Sequence, residues 1–367
     1  MAEEQLPGPP SAALANSPPA NSPPAEPVRV ALSFSGNTSA YFRIWIVNVF
    51  LTLLTLGLYS PWAKVRRLKY LHRNTHLAGG SFDYHANPVA ILKGRLIAFA
   101  LLLCSALLYR FDFLLGFLFA GVFLLIFPWM LVRSRMFNLH NTSYRNLRFG
   151  FAPVYGKAYK IIVGGALLSV LTLGFAVPAV RYWRARMQVN HSRFGSLGMR
   201  LHESVSGGRF YGIYFKAALA IFAGSFVIGF CIGFYVAYVA AVSGQEASPP
   251  QSLIQLLSTP IYLAVFLVMN DALDRLVIGG IRAGRHSLHC GWQLPRLLWL
   301  RLSNLAAIAL SLGLLIPWAT IRLRRYQVAH LAATLEGGLE EVIAVQQKEV
   351  SALGDEMGDA FDYDFGF

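Results

Sequence analysis

The sequence predicts an all-α polytopic membrane protein with short β-hairpin-like segments at the membrane surface. It further predicts three internal repeats, each a [TS]LGxxxP helix followed by a basic amphipathic helix. Three observations carry this. Hydrophobic residues make up 55% of the 367-residue chain, charged residues only 14%, and mean hydropathy is +0.49, a composition outside that of ordinary soluble domains. Seven apolar stretches, at about 41–61, 89–109, 113–132, 159–180, 214–242, 252–269 and 298–320, are each long enough to match the hydrocarbon layer. Three of the seven share one motif.

Residues 1–27 have no basic n-region and no apolar run, so they do not read as a cleavable signal. Their Pro, Ala, Ser and Asn content cannot bury a core, and a disordered leader is expected. Residues 28–335 form the expected transmembrane domain. None of its apolar stretches alternates as a barrel strand does, and lipid leaves no partner for open backbone, so helices are expected.

The first, fourth and seventh stretches read TLGLYSPWAKVRRLKYLHRN, TLGFAVPAVRYWRARMQVNH and SLGLLIPWATIRLRRYQVAH. Aligned on Pro61, Pro178 and Pro317, the preceding glycines are Gly57, Gly174 and Gly313, and a base recurs eight residues on, at Lys69, Arg186 and Arg325. Asn48 and Asn304 each stand nine residues before the motif glycine. Agreement of this kind within one chain indicates internal duplication. Gly frees the backbone and Pro removes a donor, so each motif breaks its helix. Beyond the break, Val65, Leu68 and Leu71 share one arc of a helix and Arg66, Lys69 and Arg73 another. Such helices suit the headgroup region, where Arg66, Lys69, Arg186 and Arg325 would contact anionic lipid. Between the apolar stretches, HRNTHLAGGSFDYHANP, LHNTSYRNLRFGFAPVYG and VNHSRFGSLGMRLHESVSGG are expected to be short surface hairpins.

Charge constrains topology. Residues 27–335 hold 31 Lys and Arg against six acids, and residues 336–367 hold nine acids against Lys348. The bases sit beside apolar stretches, where the positive-inside rule places them, and this excludes a nucleic-acid reading. Both flanks of the first, fourth and seventh stretches are basic, which makes these three re-entrant if every basic flank is cytoplasmic. Seven ordinary spans with one basic flank outside is the other arrangement. The acidic tail is a solubilising segment or one that docks on the basic helices.

The motifs TLGLYSPWAKVRRLKYLHRNT, GGSFDY, NTSYRNLRFGF, TLGFAVP and GDAFDYDFGF, in that order, resemble the YjgN-like bacterial inner-membrane proteins, a family of unknown function. The resemblance runs from about residue 30 to 367. It implies the inner membrane and a multi-pass helical fold, and no substrate, cofactor or catalytic residue.

No catalytic constellation stands out. His72, His76 and His85 with Asp83, and His286, His289 and Cys290, read as interfacial polar residues rather than metal ligands; the scattered cysteines read as small core residues. Asp271 and Asp274 read as ion-pair partners of Arg275 or of the basic loops, with a proton or cation relay as the alternative. Asn48 and Asn304 either hydrogen-bond between helices or line a polar path, and GFCIG at 229–233 offers a helix contact. The expectation is a non-enzymatic protein without cofactor or metal, engaged in solute or ion transport or forming a pore, with a non-transporting scaffold or anionic-lipid binder as the alternative. Lipid is the expected partner; protein partners and oligomeric state stay open.

Overall fold

The computed structural model describes residues 27–244, 248–249 and 251–336. The expected disordered leader before residue 27 and the acidic tail beyond Glu336 lie outside the described residues.

Five helical hairpins follow one another, each ending in a short strand. Strands β1 (Val28–Ala31) and β2 (Ser33–Phe34) open the chain; α1 (Thr38–Leu54) and α2 (Ser60–Arg73) follow, then β3 (Thr75–Leu77) and β4 (Gly80–Tyr84). Next come α3 (Pro88–Phe111), α4 (Phe113–His140), β5 (Thr142–Tyr144) and β6 (Leu147–Phe151). The third hairpin rises through α5 (Tyr155–Tyr159), a π-helical turn (Lys160–Gly164) and α6 (Gly165–Leu171), and returns as α7 (Val177–Asn190) into β7 (Ser192–Phe194) and β8 (Leu197–Leu201). The fourth is α8 (Gly207–Ser243) and α9 (Gln251–Gly279), leading to β9 (Ile281–Ala283) and β10 (His286–Cys290); the fifth is α10 (Leu294–Leu310) and α11 (Ile316–Ala329), leading to β11 (Leu331–Leu335).

The strands overturn the all-α expectation. All eleven join one antiparallel sheet in the order β1-β11-β10-β9-β8-β7-β6-β5-β4-β3-β2. Its two end strands are consecutive in the chain, separated by Leu32, whose N–H donates to the Leu331 carbonyl at 2.9 Å. The sheet therefore curls into a nearly closed barrel. Its concave face is identified by rings two strands apart: Phe82 and Phe149 lie 6.3 Å apart and Tyr144 and Phe194 6.2 Å apart, whereas a flat sheet would separate such positions by roughly 9.5 Å. Leu77, Phe82, Tyr144, Leu147, Phe149 and Phe194 form a continuous apolar cluster on this face. On the opposite face Arg29, Arg148, Arg193 and Arg200 are exposed. Strands of two to five residues give too little alternation to be read as one sheet, and β1 with β11 pairs residues 28 and 335, at opposite ends of the described chain.

The sheet also shows the course of the first, fourth and seventh apolar stretches. The fourth apolar stretch runs between β6 and β7, which are hydrogen-bonded neighbours with Phe149 opposite Phe194. The first lies between β2 and β3, with Ser33 opposite His76; the seventh lies between β10 and β11, with Cys290 opposite Leu331. Each of these stretches leaves and returns to a single strand pair, so each doubles back.

The [TS]LGxxxP motif is the device that turns the chain. Leu56, Leu173 and Leu312 have φ of 49° to 50°, and Gly57, Gly174 and Gly313 have φ of 92° to 93°, a backbone region that glycine reaches without strain. The glycine N–H groups reach back to Thr52, Ser169 and Ile308 carbonyls at 2.7 to 2.8 Å. The hydroxyls of Thr55, Thr172 and Ser311 accept the N–H of Tyr59, Ala176 and Leu315, each at 3.0 Å. Pro61, Pro178 and Pro317 then occupy the first turn of the returning helix, where no N–H acceptor is needed. The reversal satisfies its own backbone, as an apolar medium demands.

Much of the helical surface is uncovered and apolar. At the turn tips Leu56, Leu173 and Leu312 are 95%, 91% and 95% exposed. Three described helices, α3, α8 and α9, are long and apolar enough to cross a membrane; at 37 residues α8 is about 55 Å long.

Candidate functional site

The descending helices α2, α4, α7, α9 and α11 run directly into the sheet, and the cavities of the molecule form between them. One, of about 270 Å³, sits at the barrel mouth. It is lined by Leu71 and His72 of α2, Leu139 of α4, Arg324 and Val328 of α11, and the concave-face residues Phe82 and Phe149. A second, of about 300 Å³, lies between α4 and α7 against α5 and the π turn, with Ser134, Arg135, Asn138, Arg184 and Gln188 among its walls.

Basic side chains line both spaces, Arg324 and His72 in a mostly apolar mouth cavity and Arg135 and Arg184 in the second. Arg324 keeps solvent access, yet the surrounding protein desolvates its guanidinium and pulls its pKa down, with Arg67 adding repulsion. His72 is also held below its ordinary value, chiefly by burial and further by Arg324, against the pull of its hydrogen bond to the Leu68 carbonyl at 2.7 Å. Arg135 and Arg184 repel one another across the second cavity. Among the described residues, Arg67, Arg135, Arg184 and Arg324 have no carboxylate within ion-pair distance. The barrel plug of Leu77, Phe82, Tyr144, Leu147, Phe149 and Phe194 lies below the mouth cavity.

The residues singled out in the sequence have different surroundings. Asn304 lies inside the α10–α11 hairpin: it donates to the Ala319 carbonyl at 3.1 Å and accepts from Arg322 at 2.9 Å. Asn48, buried at the matched place in α1, has an amide oxygen with no hydrogen-bond partner. Neither lines the two cavities. At the third matched place stands Gly165, where a Cβ would meet Val180 at 2.8 Å; α6 and α7 approach through a missing side chain where the other hairpins use a buried amide.

Gly57, Pro61, Gly174, Pro178, Gly313 and Pro317 sit at the hairpin tips, away from both cavities. Arg66, Arg186 and Arg325 are exposed and Lys69 is half-buried; Arg66 lies over the Tyr59 ring and Arg325 donates to the Gly36 carbonyl at 3.2 Å. Asp271 is paired with Arg301 of α10, at 2.8 Å for the Nε contact, and not with Arg275, while Asp274 lies near Arg181 and Arg301. The histidines go to separate partners: His76 to Ser35, His85 to Ser143, His289 to Thr334, each at 2.8 Å. Asp83 accepts from both ends of the Arg73 guanidinium and from the Tyr84 backbone N–H; against the opposing effect of burial, these bonds lower its pKa. Gly229 and Gly233 face open space, and it is Gly224 that packs closely, on Ile261.

The sequence signal for the chamber was present in a different form. Arg67, Arg135, Arg184 and Arg324 belong to the basic runs that follow apolar stretches, and topology alone accounted for them. All four are exposed, as Arg66, Arg186 and Arg325 are; what separates them is that Arg135, Arg184 and Arg324 line a cavity and Arg67 stands close to Arg324.

Comparison with known proteins gives a family. A family model described as a bacterial protein of unknown function, DUF898, matches residues 29–360. Over 143 residues the chain is 32% identical to Inner membrane protein YjgN of Salmonella typhimurium, covering 39% of this chain and 36% of that protein. Over 51 residues it is 45% identical to Inner membrane protein YjgN of Escherichia coli K12, covering 14% of this chain and 13% of that protein. These matches therefore span well under two thirds of the relatives' length. No solved structure matches. The chain belongs to the DUF898 family of bacterial proteins.

Proposed function

We propose that this protein is a multi-pass protein of the bacterial inner membrane that admits anions into the chamber between its descending helices and passes them across. In this reading the long pairs α3–α4 and α8–α9 cross the bilayer, and the three [TS]LGxxxP hairpins, copies of one duplicated unit, enter and return. The barrel and every basic flank then lie on the cytoplasmic side, as the positive-inside rule asks. The names of the relatives and the exposed apolar helices support the placement. Arg66, Lys69, Arg186 and Arg325 would meet anionic headgroups there.

The observation that carries transport is a set of exposed guanidinium groups with no carboxylate partner among the described residues: Arg324 on one open cavity with Arg67 beside it, and Arg135 and Arg184 on the other. A concave surface lined by one sign of charge raises the local concentration of the opposite ion, so such a chamber recruits anions. No nucleophile and base or carboxylate pair argues for catalysis in it. A second reading, an anionic-lipid-binding scaffold that conducts nothing, is favoured by the apolar barrel plug.

Proteoliposomes containing the full chain test the proposal through uptake of radiolabelled chloride, sulfate and phosphate. Uptake of at least one above protein-free vesicles, lost in Arg67→Gln/Arg324→Gln, is expected. Uptake equal to protein-free vesicles for all three anions would leave only the scaffold reading.

A further inference from the structure

We infer that the cavity between α4 and α7 is a specific site for a phosphate group carried on an apolar moiety, with Arg135 and Arg184 as its two ligands. The site rests on the anion chemistry proposed above but is separate from the barrel mouth. Its walls are of mixed polarity. Arg135, Arg184, Ser134 and Gln188 supply polar groups, and Leu131, Val132, Phe151, Ile162 and Met187 stand among them as apolar ones. A free inorganic anion uses only the polar groups, whereas an amphiphile with a phosphate end uses both kinds.

Three features argue for a built site over an accident of charge. Arg135 and Arg184 come from different helices and face one space with no carboxylate among the described residues to neutralise them, and two guanidinium forks are the geometry that binds phosphate oxygens in pairs. Asn138 is already fixed, its amide donating to the Ser134 carbonyl at 2.7 Å and accepting from the Tyr84 hydroxyl at 3.2 Å, so this wall is positioned before any ligand arrives. The π turn at Lys160–Gly164 supplies Ile162 to the apolar groups, and inserted π turns are often retained where a helix must make room for a ligand. The matched region of the α10–α11 hairpin is bridged instead by Arg322 to Ser303 and Asn304.

The test uses the full chain in nanodiscs of phosphatidylcholine, with phosphatidylglycerol or inorganic phosphate added as probe and bound lipid read by native mass spectrometry. Phosphatidylglycerol is expected to be retained, and Arg135→Gln/Arg184→Gln to reduce retention by about tenfold or more. Arg29→Gln/Arg200→Gln, exposed on the convex face of the barrel, should retain it. Competition by millimolar inorganic phosphate would identify a soluble phosphate compound as the source, and absence of competition a lipid; both support the site. Arg135→Lys/Arg184→Lys keeps the charge should the glutamine variant misfold, and is expected to bind more weakly than wild type. Retention no greater than that of phosphatidylcholine in the wild type, or unchanged in both double variants, would overturn the inference. Loss of anion uptake with phosphate retention intact would remove the transport reading and leave this site standing.

Discussion

The short hairpins and the long ones start from the same sheet and solve different problems. The α10–α11 hairpin closes on its own polar groups: Asn304 to Ala319, Arg322 to Ser303 and Asn304, and the Ser311 hydroxyl to the Leu315 N–H. The α8–α9 pair has little of this. Its most apolar windows are only 6% and 0% buried within the chain, and Ser225 with Tyr262, at 3.3 Å, is the polar contact described between the two helices. The difference teaches that the short hairpins carry their stability internally, while the long ones borrow it from whatever apolar phase surrounds them.

The junction of the two kinds should break most severely. Asp271 of the long α9 is 1% exposed and holds Arg301 of the short α10, so Asp271→Leu strands a half-buried guanidinium. A loss of about 3 kcal/mol or more in denaturant stability is expected, read by urea titration in detergent. Glycine substitutions should sharpen the contrast. Gly57→Ala, at φ 93° in a short-hairpin turn, is expected to cost about 1–3 kcal/mol, whereas Gly229→Ala, facing open space in the long α8, should be neutral or stabilise by up to about 1 kcal/mol.

The two matched asparagines separate next. Asn304→Leu removes partners from Arg322 and Ala319 and should cost about 1–3 kcal/mol, while Asn48→Leu, whose amide oxygen is unpaired, should cost less than about 1 kcal/mol or stabilise. The smallest effect is a pH dependence. Because His72 is held below 6.5 in the folded chain, the unfolded chain takes up its proton first on acidification. Stability that is full above pH 6.5 should fall as pH drops through the depressed value, and His72→Gln should flatten that slope in thermal melts across pH 7.5 to 5 (roughly the titration range of histidine).

Much of this contrast could be read in advance, and the unread part has physical causes. The [TS]LGxxxP motif is visible because three copies repeat local turn chemistry, and the hairpin-like connections are visible from their Gly, Asn and aromatic residues. What joins them is non-local. Pairing of Val28 with Leu335 leaves no periodic trace, and Asp271 could be matched to Arg301 only once α9 and α10 were placed side by side. Asn48 and Asn304 sit at matched depth in sequence, but depth does not say whether a side chain faces a path or the partner helix. The cavity-lining bases Arg135, Arg184 and Arg324 were hidden among the others, since all serve the same charge rule.

The central claim is that every hairpin returns to the side it left. Single cysteines at Arg148 and Arg193, exposed on the adjacent strands β6 and β7 that flank the fourth apolar stretch, test it in a chain whose Cys104, Cys231 and Cys290 are replaced by Ser. In right-side-out and inside-out vesicles, a membrane-impermeant maleimide should label both Arg148→Cys and Arg193→Cys from the cytoplasmic face alone. Labelling of Arg148→Cys from the inside and Arg193→Cys from the outside would contradict the shared sheet and the account built on it.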